Sequence, residues 1–251
     1  MALGSDSAAE EGGLGVTRIA GMTGHEKSQV SRAIVALMDY GLVERAPDNR
    51  SYRLGWGLFA LAGRAGDHRL IEEAQGTLVH LVSEVGEAAH LSVLRGPGVL
   101  TLVSEPSSHS IAARGWVGRT VPAYCTSSGR VLLLDHDREA LVQRLGPEPF
   151  PAAGPNAPAD VGELARRIVC AGQIGYALAD EESEVGLVAA AAPVRDFTGR
   201  VVAALNVSAP KFRLGARLRQ TGELVQCAAE KLSVSLGARG VRETVSAEVC
   251  R

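Results

Sequence analysis

The sequence predicts an α+β chain in which a small N-terminal helix-turn-helix with a hairpin precedes a larger domain of helices on an antiparallel sheet. Three observations carry that prediction. Apolar residues recur at helical spacing as far as Val85, and beyond Ala89 the period changes to that of strands. Turn residues, Gly96-Pro97-Gly98 and Asp196-Phe197-Thr198-Gly199, then join strands to their sequence neighbours.

Residues 1–13 (MALGSDSAAEEGG) are small and acidic, hold little to bury, and are expected to be mobile. Val16, Ile19 and Ala20 fit one face of a short helix that Thr23-Gly24 stops. A second helix is predicted from about Glu26 to Tyr40, with Val30, Ile34, Leu37 and Met38 on its buried side and Gly41 ending it in a left-handed conformation. Extended pieces at Leu42–Arg45 and Ser51–Leu54 flank the turn Pro47-Asp48-Asn49-Arg50. Trp56 to Arg64 reads as a connecting helix, and His68 to Val85 repeats Leu70, Ala74, Leu78, Leu81 and Val85 at helical spacing. The boundary is placed near Gly66, giving segments 14–55, 56–66 and 67–237.

In the larger segment, strands are predicted at Ala89–Arg95, Val99–Glu105, Ser110–Arg114, Leu187–Val194 and Arg200–Ser208. Helices are predicted at Thr126–Leu134, Arg138–Leu145, Asp160–Ala171, where Asp160 is an N-cap, and Arg217–Leu236. The tail after Gly237 is expected to fray.

Composition excludes some classes and leaves others. A formal net charge of -2, with 46% hydrophobic and 22% charged residues, gives no global nucleic-acid signal, so any DNA-binding surface must be local. No apolar run approaches the roughly 20 residues of a membrane span, and the start lacks the pattern of a signal peptide, so a cytoplasmic location is expected. Cys125, Cys170, Cys227 and Cys250 have no zinc or redox spacing and are expected as reduced thiols.

A local surface is available. In a helix-turn-helix the second helix enters the major groove, so its exposed N-terminal side must carry donors and acceptors. Lys27, Ser28, Gln29, Ser31 and Arg32 lie there, and these side-chain types pair with guanine, adenine or phosphate. Residues 14–55 hold six Lys/Arg against four acids, with Arg45 on the hairpin and Arg50 at its tip, where a wing touches phosphate. An ordinary solvated helical hairpin is the competing reading.

TRIAGMTGHEKSQVSRAIVALMDYGLVER (17–45) followed by YRLG (52–55) resembles the DNA-binding half of IclR-family regulators, whose pattern runs K-S-x-V-x-R-x-[IL] and then G-[LY]-V-[ED]-R. VGRTVPAYCTSSGRVLL (117–133) is similar to that family's V-G-x-x-x-P-x-x-x-T-x-x-G-K-x-L-L, and GYALADEESEVGLVAAAAPVRDFTGRVVAALNVSAP (175–210) resembles its most specific segment. The likeness covers roughly residues 14–237. It implies a winged helix-turn-helix (14–55), a linker helix (56–66) and a GAF-like effector-binding domain (67–237). It also implies a homodimer or pair of dimers, and partners in double-stranded operator DNA and a small organic acid, with no cofactor.

On that likeness the acid sits against Thr126, Ser127 and Ser128, where a helix start offers unpaired N–H groups, though Thr126 and Ser127 can equally be plain caps. Ala179 stands where the family commonly has Asp, Ala189 in the segment where it has Cys, and Asn206 and Ser208 where it often has two serines. Losing a carboxylate and a thiol implies a roomier, less polar pocket and therefore an aromatic or otherwise apolar acid. Trp116 and Tyr124 are assigned either to its entrance or to the core.

The run Asp180, Glu181, Glu182, Glu184 lacks metal-loop spacing and is read as a solvated acidic turn, so no metal is expected. Cys125 has no neighbouring nucleophile motif, which argues against a hydrolase. A sensor that no longer binds DNA is the other alternative, because residues 1–13 do not supply the helix that the family packs beneath its helix-turn-helix.

Overall fold

The computed structural model describes residues 13–46, 50–58, 68–107 and 115–238. The expectations for the first twelve residues, for the connecting helix beyond Leu58, for a strand at Ser110–Arg114 and for the tail beyond residue 238 lie outside the described residues. The chain divides into two compact units, Met1–His68 and Arg69–Arg251.

In the first unit, helix α1 (Val16–Thr23) ends at Gly24, whose φ of 69° lets its N–H reach Ala20 O. Helix α2 (Lys27–Asp39) ends in the same left-handed manner. Gly41 has φ 66°, its N–H donates to Met38 O, and the Leu42 N–H donates to Leu37 O. Strands β1 (Val43–Arg45) and β2 (Tyr52–Leu54) pair antiparallel, Val43 opposite Leu54.

The core of this unit is small. Ala20, Val30 and Ile34 are buried, and Val16, Ile19, Met38, Val43 and Tyr52 pack around them. Leu37, expected inside, is 40% exposed. The stripe 30–34–38 follows a four-residue step, and Leu37 falls on its flank, beyond what one covering helix can reach.

The second unit begins with α3 (His68–Val85), followed by β3 (Ala88–Arg95), β4 (Gly98–Glu105) and β5 (Thr120–Pro122). Three helices come next, α4 (Ser127–Leu132), α5 (Arg138–Leu145) and α6 (Val161–Ile174). Strands β6 (Ala177–Asp180), β7 (Leu187–Arg195) and β8 (Val201–Pro210) complete the sheet, and α7 (Lys211–Leu214) and α8 (Leu218–Ser235) follow. The sheet is antiparallel throughout, in the order β5-β4-β3-β8-β7-β6. The α+β architecture with an antiparallel sheet expected of this segment is thus present. Strands β5 and β6 and the short α7 were not predicted.

Two apolar layers sandwich the sheet. On one face Leu78 and Leu81 of α3 and Val225 and Leu232 of α8 bury Leu91, Val194, Leu205 and Val207. On the other, Val131, Leu133 and Leu164 pack with Val99, Ala177, Ala191 and Ala204. Cys125 is buried and free, Cys227 is exposed and free, and Cys170 is disulfide-bonded where a reduced thiol was expected. Among the described residues, no helix is long and apolar enough to cross a membrane.

With few buried side chains among the described residues of the first unit, each of these carries much of the packing of α1 on α2. Ile34→Ala is expected to cost about 2–4 kcal/mol, speeding amide exchange of α1 and α2 by roughly 30- to 1,000-fold while the β3 and β8 amides keep their protection in the same hydrogen-exchange experiment.

Candidate functional site

Strand alternation builds the site. In β8, Ala203, Leu205, Val207 and Ala209 are buried in the layer beneath α3 and α8, so Asn206 and Ser208 face the opposite way. In β3 the same rule sends Ala89 and Leu91 to that layer and His90 and Ser92 to the other face. Register then brings these polar residues together: His90 pairs with Asn206 on β8 and with Ser104 on β4. Ala189 pairs with both Ser208 and Ala179, so two methyl groups flank the polar pair.

Above this floor lies a cavity of ≈ 440 Å³. Its walls are the start of α4, the segment Trp116–Cys125, the loop around Ala152 and the β6–β7 turn. Trp116, Tyr124, Thr126, Ser127, Ser128, Ala179, Ala189, Asn206 and Ser208 all contribute to its lining. So do His90, Ser92, Thr101, Arg119 and Ser183, which the sequence reading did not single out, and Glu184, which it placed in an acidic turn. The signal for His90 and Ser92 was present: two polar residues, two apart, inside an otherwise apolar strand.

Helix α4 is held at the cavity edge by its own cap and by a close approach. Thr126 Oγ1 accepts from the Gly129 N–H at 3.0 Å, so Thr126 is an N-cap. A Cβ at position 129 would lie 2.0 Å from Ala123 O, so only glycine fits. Ser127 and Ser128 are buried in the first turn. Tyr124 is buried as well as lining the cavity. Its hydroxyl donates to Pro151 O at 2.8 Å and its ring stacks on Phe150 at 4.6 Å. Trp116 tilts against the His90 ring, centroids 5.9 Å apart, and the Arg119 guanidinium lies over the Trp116 ring, 5.2 Å from its centroid.

His90 places Nδ1 at 2.9 Å from Ser104 Oγ and Nε2 at 3.1 Å from Ser208 Oγ. Burial pushes its pKa down to about 4, so the ring is neutral at physiological pH. Burial, reinforced by the negative charge of Glu182, pushes the Cys125 thiol up to about 11 against a weaker lowering by backbone hydrogen bonding. A thiol held protonated is a poor nucleophile.

The acidic run is not simply solvated, and here the expectation is corrected. Glu182 is buried and ion-paired with the equally buried Arg130, and its other oxygen lies 3.1 Å from Arg167. Arg130 also donates to Leu178 O, tying α4 to the end of β6. Asp180 and Glu181 meet Lys211 Nζ at 2.8 and 2.7 Å, and the Lys211 hydrogen bond, then the Gly186 N–H, hold the Glu181 carboxyl below its usual range. Glu184 is exposed at the cavity. Among the described residues, no cluster of three or more His, Cys, Asp or Glu side chains could hold a metal ion.

The first unit presents a second polar surface. Lys27, Ser28, Gln29, Ser31 and Arg32 are all exposed along α2, and Ser28, Gln29 and Arg32 fall on the side away from Val30 and Ile34. The Arg45 guanidinium stacks 5.4 Å from the ring of Tyr52, its cross-strand neighbour, and Arg50 is exposed just before β2.

These features have relatives. The family described as bacterial transcriptional regulator IclR C-terminal matches residues 64–234, a span that contains the whole sheet and the cavity. The chain belongs to the IclR family. It is 28% identical over 230 residues to the HTH-type transcriptional regulator KdgR of Escherichia coli, covering 91% of this chain and 88% of that one. Its identity to the Pca regulon regulatory protein of Pseudomonas putida is 32% over 201 residues, covering 78% and 67%. An IclR homologue from Microbacterium hydrocarbonoxydans, solved in complex with 4-hydroxybenzoate, superposes with a TM-score of 0.77 at 26% identity, covering 90% and 92%. Its relatives are transcription regulators, and at least one of them binds a small aromatic acid.

Two outcomes follow from the buried polar groups. The unfolded chain protonates His90 near pH 6.5 but the folded chain resists until about pH 4. Stability from this residue is therefore complete above pH 6.5 and falls as pH drops from there to about 4, by about 3 kcal/mol in all. Parallel urea titrations should show that loss in the native chain and a flatter profile in His90→Gln. Glu182→Gln leaves Arg130 buried beside a neutral amide and should cost about 3–5 kcal/mol, read as a lower urea midpoint at neutral pH.

Proposed function

We propose that this chain is a ligand-responsive, DNA-binding transcription regulator rather than a catalyst. Residues 14–55 act as the winged helix-turn-helix, 56–66 as the linker helix and 67–237 as the GAF-like effector domain. Helix α2 reads the major groove of operator DNA through Lys27, Ser28, Gln29, Ser31 and Arg32, while Arg45 and Arg50 hold the flanking phosphates. Two copies of the chain, or a pair of such dimers, present two recognition helices to two half-sites.

The observation that carries the sensor half of this reading is the ≈ 440 Å³ cavity inside the region of family likeness, floored by alternating polar and methyl side chains. Pockets of roughly 300–1,000 Å³ with a few polar groups suit small organic molecules. We assign the effector as an aromatic or similarly apolar acid held among Trp116, Tyr124, Thr126, Ser127, Ser128, Ala179, Ala189, Asn206 and Ser208. The methyl groups of Ala179 and Ala189 support this, as does the aromatic acid bound by a relative of similar fold. Helix α4 is only six residues long, so the contribution to carboxylate binding comes from local N–H and hydroxyl groups rather than from a long dipole.

An effector can regulate DNA binding only through different affinities for the DNA-competent and DNA-incompetent arrangements. A mobility-shift titration on the DNA upstream of the chain's own coding region tests the regulator. Specific binding should weaken steeply with salt, and Arg32→Ala should cost roughly 10- to 100-fold in affinity. Unchanged operator affinity in Arg32→Ala at moderate ionic strength would remove the DNA-reading assignment. Calorimetry tests the effector: aromatic acids are expected to bind, and tight binding of a two-carbon acid with none of aromatic acids would overturn the assignment.

A further inference from the structure

The cavity floor has a polarity of its own. Its buried polar groups are uncharged: Arg119 and Glu184, the charged side chains of the lining, are both exposed, and burial keeps His90 neutral. A carboxylate lying on this floor would be desolvated without a counter-charge, which is costly. Asn206 adds a sharper requirement. It is 8% exposed, it lines the cavity, and its Oδ1 is buried with no hydrogen-bond partner among the described residues. A buried acceptor left unpaired costs free energy that a donor on a ligand would recover.

Ser208 can supply the complementary group. It lies two residues from Asn206 on the same face of β8, and both side chains line the cavity. A neutral imidazole has one N–H and one lone pair. When His90 carries its proton on Nε2, that N–H donates to Ser208 Oγ and Nδ1 accepts from Ser104 Oγ–H, which leaves the Ser208 O–H free to donate into the cavity. When the proton is on Nδ1, it goes to Ser104 Oγ, and the Ser208 hydrogen is taken up by Nε2. Ser104 can play either part because a hydroxyl both donates and accepts.

Resting on the effector-pocket reading above, we propose that Asn206 and the chain Ser104–His90–Ser208 form a receptor for an un-ionised hydroxyl on the effector. That hydroxyl donates to Asn206 Oδ1 and accepts from Ser208 Oγ–H, with His90 held as the Nε2–H tautomer. The carboxylate of the same effector then lies at the opposite, α4 side of the cavity. The ligand class is a hydroxy acid with its two polar groups at opposite ends, and Asn206 is the residue that selects the hydroxyl.

Isothermal calorimetry on the full chain with benzoate, 3-hydroxybenzoate, 4-hydroxybenzoate and terephthalate tests this. At least one hydroxybenzoate is expected to bind ten-fold or more tighter than benzoate, and terephthalate, which puts a second carboxylate on the floor, weaker than benzoate. In Asn206→Leu the affinity of each hydroxybenzoate relative to that variant's own affinity for benzoate should fall to within about two-fold. In the native chain with the preferred hydroxybenzoate, the imidazole ¹⁵N shifts of His90 should report the Nε2–H tautomer, and the Nδ1–H tautomer would overturn the part given to His90. Benzoate and both hydroxybenzoates binding equally to the native chain, or the preference surviving in Asn206→Leu, would overturn the receptor and leave the effector pocket standing. Failure of all four acids to bind would overturn the aromatic-acid assignment and the receptor with it.

Discussion

The register of β8 between β3 and β7 governs both halves of the sensor unit's chemistry. Ala203, Leu205, Val207 and Ala209 fill the layer under α3 and α8, and because successive side chains alternate, Asn206 and Ser208 have nowhere to go but the cavity. A slip of one residue would drive an amide and a hydroxyl into a helix-packed core and turn leucine and valine toward the effector. The apolar layer on the far side of the sheet therefore fixes the polarity of the site on the near side. Packing and recognition are two faces of one pattern, and neither can be changed alone.

Room for a ligand comes from what the strands lack. Ala179 and Ala189 place methyl groups where larger side chains would fill the space above the sheet, and Ala177 and Ala191 continue that small-residue rank into the adjoining core. Alanine is not a favoured strand residue, yet β7 carries four in a row. It holds because both its neighbours are paired and Ala190 and Ala192 are fully buried against the helix layer. Burial on one face offsets weak propensity, which leaves the other face free to stay open.

Much of this fold is written locally. Thr126 and Asp160 cap the helices that follow them, accepting from the N–H three residues on, and Gly24 and Gly41 end theirs with positive φ. Strands β5 and β6 were missed because three or four residues carry no measurable period, and their edge positions exist only by pairing with β4 and β7. The residues of the cavity wall that the sequence singled out came from likeness to a family, and His90 was passed over because only the pairing of β3 with β4 and β8 shows what its ring meets. Glu182 was misread for a related reason. Nothing near it in the chain reveals that Arg130, 52 positions earlier, folds back to the same point.

That ion pair also ties helix α4, at one edge of the cavity, to the turn between β6 and β7. The floor is a hydrogen-bonded sheet with an apolar layer behind it, and moving it would cost the core. The upper walls are loops joined to one another: Gly154 N–H donates to Glu182 O, Asn156 Nδ2 to Asp180 O, and Arg130 bridges α4 to Glu182. Ser127 and Ser128 line the cavity from the helix that carries Arg130, and Glu182 joins that helix to the β6–β7 turn and to the loop around Gly154. These three walls are therefore tied to one another by buried partners rather than standing as independent loops. His90, Asn206 and Ser208 thus reach the cavity from the sheet floor, and the contacts that join its walls come from the loops above it.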